Sequence, residues 1–233
     1  MSSVFMLTSP TNGSAHEACS VRHGGAEISE RLILSLCDFS GEWSQPYVDA
    51  GYKVVRMDLG YEPGETRISD RLWHVGCDVT RWDFPWHPWG VLAAPSCTTF
   101  CRPGARWWKR HDERGDTERD MRLFRRCLFL CQKATAWWAL ENPPGRQRTL
   151  MPDIPQPAWQ FQPHDYGDPW VKQTYIWGTA AKPMAATQCA PERTRRTPNG
   201  HTQGRIAMMS SSWKREREKT PSGFARAFFE ANP

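Results

Sequence analysis

The chain alternates short apolar runs with polar turns rich in glycine and proline, a pattern typical of buried strands joined by loops. Seven such runs predict strands, at residues 31–37, 53–57, 76–79, 89–94, 137–140, 173–177 and 205–209. Helices are predicted at 45–50, 117–134 and 224–231. Strands that alternate with helices predict an α/β fold of Rossmann-like type, with a mostly parallel sheet covered by helices.

The stretches between these elements show neither the alternation of apolar and polar residues typical of a strand nor the apolar spacing of three to four residues typical of a helix. Residues 61–71 are polar, 82–88 are rich in proline, and 101–116 are rich in Arg, Trp and Gly, so all three are predicted to be loops. Residues 1–28 are rich in Ser, Gly and His and are predicted to form a flexible arm. Residues 29–233 are numerous enough to form one domain with a sizeable core.

The composition narrows the class of protein only slightly. A net charge of +5 favours an anionic partner, and 13 tryptophans suit either a base-stacking surface or an aromatic core. The 8 cysteines occur without a signal peptide and without an apolar run long enough to span a membrane. Free thiols in a reducing cytoplasm are therefore expected, rather than a disulfide framework.

One cysteine follows directly on a buried strand. Residues 91–94 are small or apolar, Pro95 ends the strand, and Cys97 lies in the loop that follows. This order places a thiol at the carboxyl edge of the sheet, where open α/β folds hold their ligands. Cys97 is therefore a candidate nucleophile, and the alternative is a buried, unreactive loop cysteine.

Acidic residues follow the first three strands. The turn 38–41 reads Asp-Phe-Ser-Gly, Asp58 closes the second strand, and Asp78 lies near the third. A carboxylate after the second strand suits the ribose hydroxyls of a nucleoside cofactor, and the turn glycine lets the backbone approach a ligand. The phosphate-binding sequence G-x-G-x-x-G is absent, which disfavours a dinucleotide. Ordinary α/β turns would show the same residues.

Taken in order, these segments resemble those of the DNA cytosine-5 methyltransferases, and most closely the short, phage-type members of that family. The resemblance covers roughly residues 31–232. It rests on the shared order and spacing of Asp38-Phe39-Ser40-Gly41, Asp58, Asp78, Pro95-Ser96-Cys97, Gly104-Ala105-Arg106-Trp107, Glu141-Asn142-Pro143, Tyr166-Gly167-Asp168-Pro169, Pro221, Phe224 and Ala225.

The resemblance implies transfer of a methyl group from S-adenosylmethionine to carbon 5 of a cytosine flipped out of the DNA duplex. Cys97 would add to carbon 6, and Glu141 would hold or supply the proton at ring nitrogen 3. The expected cofactor contacts are Asp38, Phe39, Ser40, Gly41, Asp58, Asp78 and Pro95, with Asp58 on the ribose and Asp78 on the adenine amine. The expected contacts with the base or the DNA are Asn142, Arg106, Trp107, Lys172, Thr174, Arg193, Arg195 and Arg196. No metal is expected, and the expected location is the cytoplasm of a bacterium or of a phage-infected host.

The chain departs from the family pattern at several positions. Ser96 replaces the second proline before the cysteine, and Cys101 replaces a serine. Lys172 and Thr174 align with two arginines that hold the flipped pyrimidine and its phosphate, and a lysine cannot form a bidentate fork. The recognition region is reduced to about residues 179–204, too short for a separate domain. We therefore expect low or short sequence specificity from a monomer, or recognition that a partner assists.

Three other functions remain open on the sequence. With Lys172 and Thr174 in place of arginines, the chain could be a catalytically weak protein that binds S-adenosylmethionine and DNA. The short recognition region would also suit a methylase of free pyrimidine nucleotides. Finally, residues 142–144 (Asn-Pro-Pro) resemble the motif of methyltransferases that act on an exocyclic amine, although Gly145 stands where that motif has an aromatic residue.

Two further features have competing interpretations. The pairs Cys97/Cys101 and Cys127/Cys131 have a spacing compatible with zinc, but the second pair lies on the apolar stripe of a predicted helix, where cysteine is an ordinary core residue. The basic, Trp-containing stretch 102–110 fits either contact with the DNA backbone or a solvated run of charges over packed tryptophans.

Overall fold

The computed structural model describes residues 31–84, 87–185, 187–192 and 218–233, together with the backbone of four two-residue strands. Of these short strands, Met6–Leu7 pairs antiparallel with Val21–Arg22, and Arg195–Arg196 pairs antiparallel with Thr202–Gln203. Arg193, the side chains of Arg195 and Arg196, and the strand predicted at 205–209 lie outside the described residues.

An eight-stranded sheet forms the centre of the described part of the chain. Its strands are β1 Leu32–Leu36, β2 Lys53–Met57, β3 Gly64–Arg67, β4 Leu72–Gly76, β5 Gly90–Ala93, β6 Trp137–Asn142, β7 Trp159–Phe161 and β8 Thr174–Gly178. The order is β3-β4-β2-β1-β5-β6-β8-β7. The central strands β4, β2, β1, β5 and β6 are parallel, whereas β3–β4, β6–β8 and β8–β7 pair antiparallel. The predicted α/β class with a mostly parallel sheet is confirmed.

The winding of the chain reverses at β1. The strands β2 and β4 are added on one side of β1, and β5 and β6 are added on the other. In open α/β sheets a crevice forms at the carboxyl ends of the strands where this reversal occurs. Leu36 and Ala93 face each other at the ends of β1 and β5, so the turn 38–41 and the Cys97 loop leave the sheet side by side.

The described part of the chain contains α-helices and 3-10 helices of different lengths. They are α1 Gln45–Asp49, α2 Trp108–Glu113, α3 Asp116–Cys131, α4 Gln147–Leu150 and α5 Ser222–Ala231, and short 3-10 helices cover Val79–Arg81, Arg102–Trp107 and Pro163–Tyr166. The predicted helices at 45–50, 117–134 and 224–231 correspond to α1, α3 and α5. Nowhere in the described part of the chain is a helix both long and apolar enough to span the membrane.

Two hydrophobic layers cover the two faces of the sheet. On one face α3 packs through Phe124, Cys127 and Leu128 against alternate residues of β1 and β5, with Leu34 buried among them. On the other face α1 and α5 pack around Ile33 of β1 in an aromatic cluster. Adjacent residues of a strand point to opposite faces, so the unbroken apolar run of β1 supplies both layers.

Three predictions about local structure were wrong, for identifiable reasons. The predicted loop 61–71 contains β3, an edge strand whose polar sequence is held by backbone pairing with β4 rather than by burial. The predicted loop 101–116 contains a 3-10 helix and α2. Neither helix has a buried residue, so neither has the apolar stripe by which a helix is recognised in a sequence. The third strand covers Leu72–Gly76 rather than 76–79, because Asp78 caps the following 3-10 helix.

Candidate active site

The loop after β5 closes into a tight turn that brings two thiols together. The carbonyl oxygen of Cys97 accepts hydrogen bonds from the N–H groups of Phe100 and Cys101, both at 3.0 Å. This turn brings the thiols of Cys97 and Cys101 near enough for each to shift the pKa of the other. Both residues are only partly buried, and both follow β5 at the carboxyl edge of the sheet.

Asn142, at the end of β6, locks this loop to the neighbouring strand. Its Nδ2 donates to the carbonyl oxygen of Pro95 at 2.8 Å, and its Oδ1 accepts from Nε2 of Gln147 at 2.7 Å. Asn142 is fully buried, so its side chain serves to hold the loop. The direct contact with the base or the DNA that the sequence suggested for Asn142 therefore requires a correction, because neither end of its amide faces solvent.

A second set of contacts supports the loop through Thr99. Arg146 donates from Nε to the carbonyl oxygen of Thr99 at 3.0 Å and binds both carboxylate oxygens of Asp112 at 2.6 and 2.9 Å. The hydroxyl of Thr99 donates to the buried carboxylate of Asp120 at 3.0 Å. These supporting residues were not identified from the sequence. Only the position of Arg146, four residues after Asn142, could have drawn attention to it.

Glu141 and Lys172 form an ion pair beside the two thiols. Nζ of Lys172 lies 3.5 Å from Oε1 of Glu141, and their side chains are only 17% and 13% exposed. The net pKa of Cys97 is raised, chiefly by the neighbouring thiol of Cys101 and by burial; the charge of Lys172 opposes this rise and the carboxylate of Glu141 adds to it. The charge of Lys172 also helps to lower the pKa of Cys101. The structure therefore brings together Cys97, Glu141 and Lys172, all three of them predicted site residues, and adds Cys101.

The two thiols influence each other's ionisation. The neighbouring thiol of Cys97, the backbone N–H of Gly104 and the charge of Lys172 lower the pKa of Cys101. The neighbouring thiol of Cys101, followed by burial and by the carboxylate of Glu141, raises the pKa of Cys97. The two groups therefore titrate as one coupled pair, in which ionisation of one thiol disfavours ionisation of the other.

Side-chain hydrogen bonds to Asp38 hold the turn after β1 in place. Asp38 is buried and accepts hydrogen bonds from the hydroxyls of Ser35 at 2.9 Å and Ser44 at 2.8 Å. Gly41 has a φ of 72°, and the space where a side chain would stand is filled by the guanidinium of Arg56. Asp38 and Gly41 thus shape the turn, and the space beside Gly41 belongs to Arg56 rather than to a ligand.

The surface of this turn carries an aromatic ring and a carboxylate. Phe39 is 42% exposed and lies against the ring of Tyr61, with the ring centroids 5.2 Å apart. Asp58, at the end of β2, accepts the backbone N–H of Gly60 on Oδ1 at 2.7 Å. Burial is the largest cause of the raised pKa of Asp58. Ser40 is exposed on the same turn, so Phe39, Ser40 and Asp58 all lie at the carboxyl ends of β1 and β2.

Asp78 lies at the neighbouring strand end and is partly engaged. Its Oδ1 accepts the N–H of Thr80 at 2.9 Å and the hydroxyl of Thr80 at 2.7 Å, which caps the 3-10 helix. Its Oδ2 lies 3.9 Å from Nε of Arg81 in an exposed pair. The carboxylate faces the solvent in part, and its contact with an adenine amine stays a prediction.

The residues predicted to contact DNA fall into two groups. Trp107 is 46% exposed, with the guanidinium of Arg106 5.3 Å from its ring centre, and it lines an open depression with Arg110 and Arg114. Thr174 is buried instead, and its hydroxyl donates to the carbonyl oxygen of Lys172 at 3.0 Å. The predicted contact of Thr174 with the base is therefore corrected to a support for the backbone of Lys172.

The cysteines of α3 belong to the core. Cys127 and Cys131 are completely buried, and Sγ of Cys127 lies 4.0 Å from Sγ of Cys37. Among the residues that the structure describes, no group of three or more His, Cys, Asp or Glu side chains could hold a metal ion. The Cys127/Cys131 pair thus has a packing role in the described core.

No protein-family model matches this chain, and no curated protein matches it either. The chain is similar in structure to the glycopeptide N-methyltransferase MtfA in its complex with S-adenosyl-L-methionine, with a TM-score of 0.31 and 12% identity over 77% of this chain and 70% of that one. It is also similar to MtfA with S-adenosyl-L-homocysteine, with a TM-score of 0.30 and 13% identity over 76% of this chain and 65% of that one. A likeness at this level adds nothing to the assignment of the site residues.

Proposed function

We propose that this chain transfers a methyl group from S-adenosylmethionine to carbon 5 of cytosine in DNA. The observation that carries the proposal is the convergence of a thiol, a carboxyl group and a lysine at the ends of β5, β6 and the segment before β8. Cys97, Glu141 and Lys172 come from positions more than 30 residues apart, yet their side chains interact electrostatically at one edge of the sheet.

This constellation suits the chemistry of a pyrimidine ring. Carbon 5 of cytosine is a weak nucleophile until a thiolate adds to carbon 6 and turns the ring into an enamine. Cys97 forms that bond, and the carboxyl group of Glu141 holds the proton at ring nitrogen 3. Lys172 positions Glu141 and adds positive charge where electron density accumulates on the ring. After methyl transfer, loss of the carbon 5 proton and of the Cys97 thiolate restores the aromatic ring.

The crevice beside β1 has groups that fit the cofactor. Asp58 presents a carboxylate at the end of β2 and Phe39 an exposed ring, which suit a ribose and a flat or apolar portion of a nucleoside. When bound, S-adenosylmethionine supplies an electrophilic methyl group on a sulfonium. Pro95 is buried at the start of the Cys97 loop. It follows β5, the strand next to β1, and precedes Cys97 by two residues.

The geometry favours carbon 5 over an exocyclic amine as the methyl acceptor. An enzyme of the latter kind would need the amide of Asn142 to hold the amine of the substrate. That amide is buried and bonded to Pro95 and Gln147. Cys97, which such an enzyme does not require, occupies the site beside Glu141 instead.

DNA is the substrate that the surface charge supports. Lysines and arginines number 30 against 25 acidic residues, and exposed Arg106 and Trp107 follow the Cys97 loop. Cationic and aromatic side chains beside a site can contact the phosphate backbone and occupy the space that a flipped base leaves. The proposed setting is the cytoplasm of a bacterium or phage-infected host, where such DNA is present.

Mass analysis of nucleosides tests this proposal. The chain is expressed in a bacterial strain without cytosine methylation, and the host DNA is hydrolysed and analysed. We expect 5-methyldeoxycytidine from the wild-type chain and none from Cys97→Ala. N4-methyldeoxycytidine, or methylated free nucleotides with unmodified DNA, would overturn the proposal in favour of an amine or a nucleotide as substrate.

Replacement of Asp58 by alanine should weaken binding of S-adenosylmethionine in the absence of DNA. Two ribose hydroxyls would lose a charged acceptor, a change worth roughly 1.5–3 kcal/mol, or a 10- to 150-fold increase in Kd. Titration calorimetry measures it. Asp70→Ala, which removes an exposed carboxylate on the loop before β4, is the matched control and should leave the affinity unchanged. Equal affinity of Asp58→Ala and wild type would remove Asp58 from the cofactor site.

Methylation should spread over many sequence contexts, since about residues 179–204 are the only recognition segment expected from the sequence. Bisulfite sequencing of a plasmid reports the contexts, and one strict site of about six base pairs would contradict the expectation.

Changing Arg193, Arg195 and Arg196 to Glu should weaken DNA binding. It should also lower the slope of log Kd against log salt by about 0.9 for each phosphate that the variant no longer neutralises.

A further inference from the structure

Arg56 is a buried arginine of β2 whose side chain reaches the turn after β1. It is only 6% exposed. Its Nε donates to Oγ of Ser44 at 2.8 Å, and its Nη2 donates to Oε1 of Gln45 at 2.7 Å. The third nitrogen, Nη1, lies against the backbone of Gly41, where even a Cβ would overlap with it. Two neutral side chains therefore hold the guanidinium with Nη1 at the turn 38–41.

The guanidinium of Arg56 forms no ion pair with a carboxylate of the described residues. The carboxylate of Asp38 is separated from it by the hydroxyl of Ser44, which accepts from Arg56 and donates to Asp38 at 2.8 Å. Nη1 has no hydrogen-bond partner in the described part of the chain, but it keeps some accessible surface. Arginine is rarely buried without an anion, because removal of its charge from water is costly. An anion bound at Nη1 would supply the missing partner.

The order of the strands indicates which part of the cofactor would lie beside Nη1. In the proposed binding mode, Asp78 contacts the adenine after β4 and Asp58 the ribose after β2. The next strands in the sheet are β1 and then β5, which leads to Cys97. A nucleoside over β4 and β2, with its sulfonium directed toward the base at Cys97, leaves the amino-acid portion beside the turn 38–41. This portion carries the carboxylate of S-adenosylmethionine.

We propose that Arg56 binds the carboxylate of the methionine portion of S-adenosylmethionine through Nη1. This inference deepens the proposed function and rests on it for the identity of the cofactor. Ser44 and Gln45 already hold the guanidinium in place, so the side chain loses little freedom when the carboxylate binds. A hydrogen bond between two charged groups is stronger than one between neutral groups. Arg56 thus selects S-adenosylmethionine over nucleosides that lack the carboxylate.

Two ligands that differ only in the carboxylate test this role by titration calorimetry without DNA. They are S-adenosylmethionine and decarboxylated S-adenosylmethionine. The wild type should bind the first about 10- to 150-fold more tightly than the second, as expected for a hydrogen bond to a charged group. In Arg56→Met the affinity for S-adenosylmethionine should fall by the same factor, whereas the affinity for the decarboxylated compound should be unchanged. A residue that only shaped the turn would weaken the binding of both ligands equally.

Two further variants complete the comparison. Arg67→Met removes an exposed arginine of the edge strand β3 and should keep the preference of the wild type for the carboxylate. Arg56→Gln has no charge but can still donate a hydrogen bond to Ser44, so it gives the same comparison if Arg56→Met does not fold.

Several results would overturn the role of Arg56. They are equal affinity of the wild type for the two ligands, no binding of either ligand, a preference that persists in the Arg56 variants, and an equal loss of both affinities in those variants. If the wild type prefers neither ligand but methylates cytosine in DNA, the role of Arg56 fails and the proposed function stands. If the preference depends on Arg56 but no methylcytosine forms, the proposed methyl acceptor fails while the role of Arg56 stands.

Discussion

Replacement of Cys97 by alanine should abolish methyl transfer, with a loss on the order of 10⁴-fold or more, because an enzyme without its nucleophile keeps only the contribution of binding. Incorporation of a labelled methyl group into DNA measures it. The loop should keep its shape, since its contacts use the backbone of Pro95, Thr99 and Phe100 rather than the Cys97 side chain.

The control for this variant is a thiol outside the site. Cys189→Ala should retain wild-type activity, and both variants should unfold at the same temperature as the wild type. A Cys97→Ala enzyme that keeps more than a tenth of the activity would contradict the covalent mechanism.

Replacement of Glu141 by glutamine should slow methyl transfer by about 10²- to 10⁴-fold, the usual range for the loss of a general acid–base group. Glutamine has nearly the shape of glutamate, so DNA should still bind, and fluorescence anisotropy would show an affinity close to that of the wild type. The amide cannot hold the proton at ring nitrogen 3, and for this reason the loss should appear in kcat.

Lys172→Met separates the role of the carboxyl group from that of the ion pair. This variant breaks the same 3.5 Å contact but keeps the Glu141 carboxyl group. We expect a smaller loss than that of Glu141→Gln. If the two variants lose equal activity, the ion pair and not the proton at nitrogen 3 accounts for the effect of Glu141.

The sequence predicted best those candidate site residues that lie at the end of a strand. Glu141 comes directly after an apolar run and Cys97 three residues after one, and parallel neighbouring strands necessarily bring such ends to one edge of the sheet. The central parallel strands could be predicted for the same reason, because buried strands need apolar residues on both faces. The edge strand β3 could not, since an exposed, polar strand has no such pattern.

The misassigned residues share a different cause. Asn142 and Thr174 have residue types that suit ligand contact, but the fold itself uses their side chains; the contact of Gly41 with the cofactor stays a prediction. Asn142 holds the Cys97 loop, Thr174 bonds to the backbone of Lys172, and the space beside Gly41 contains Arg56. Which partner takes a polar side chain depends on long-range packing, and the spacing of residues along one chain does not contain that information.

The sequence did not reveal that Cys101 lies close to Cys97 and Lys172. In the sequence it is only a departure from a familiar pattern, four residues after Cys97. The turn that closes on the carbonyl oxygen of Cys97 makes the two thiols neighbours. Lys172 then adds its charge to both, although it is far away in the sequence.

The possibility of a catalytically weak protein arose from Lys172 and Thr174. Thr174 cannot replace a cation, but Lys172 is held against Glu141 with its charge acting on both thiols. The proposed site therefore keeps a cation near Cys97. A protein that binds both ligands without transferring the methyl group would favour the catalytically weak binder.

Trapping with 5-fluorocytosine tests the covalent step most directly. Fluorine at carbon 5 cannot leave as a proton, so the bond between Cys97 and carbon 6 persists after methyl transfer. With S-adenosylmethionine and DNA that carries 5-fluorocytosine, the wild type should give an adduct that is stable in denaturing gels and maps to Cys97. Cys101→Ser should still form this adduct, and Cys97→Ala should form none. An adduct on Cys101, or methyl transfer without any adduct, would contradict the assignment of Cys97 as the nucleophile.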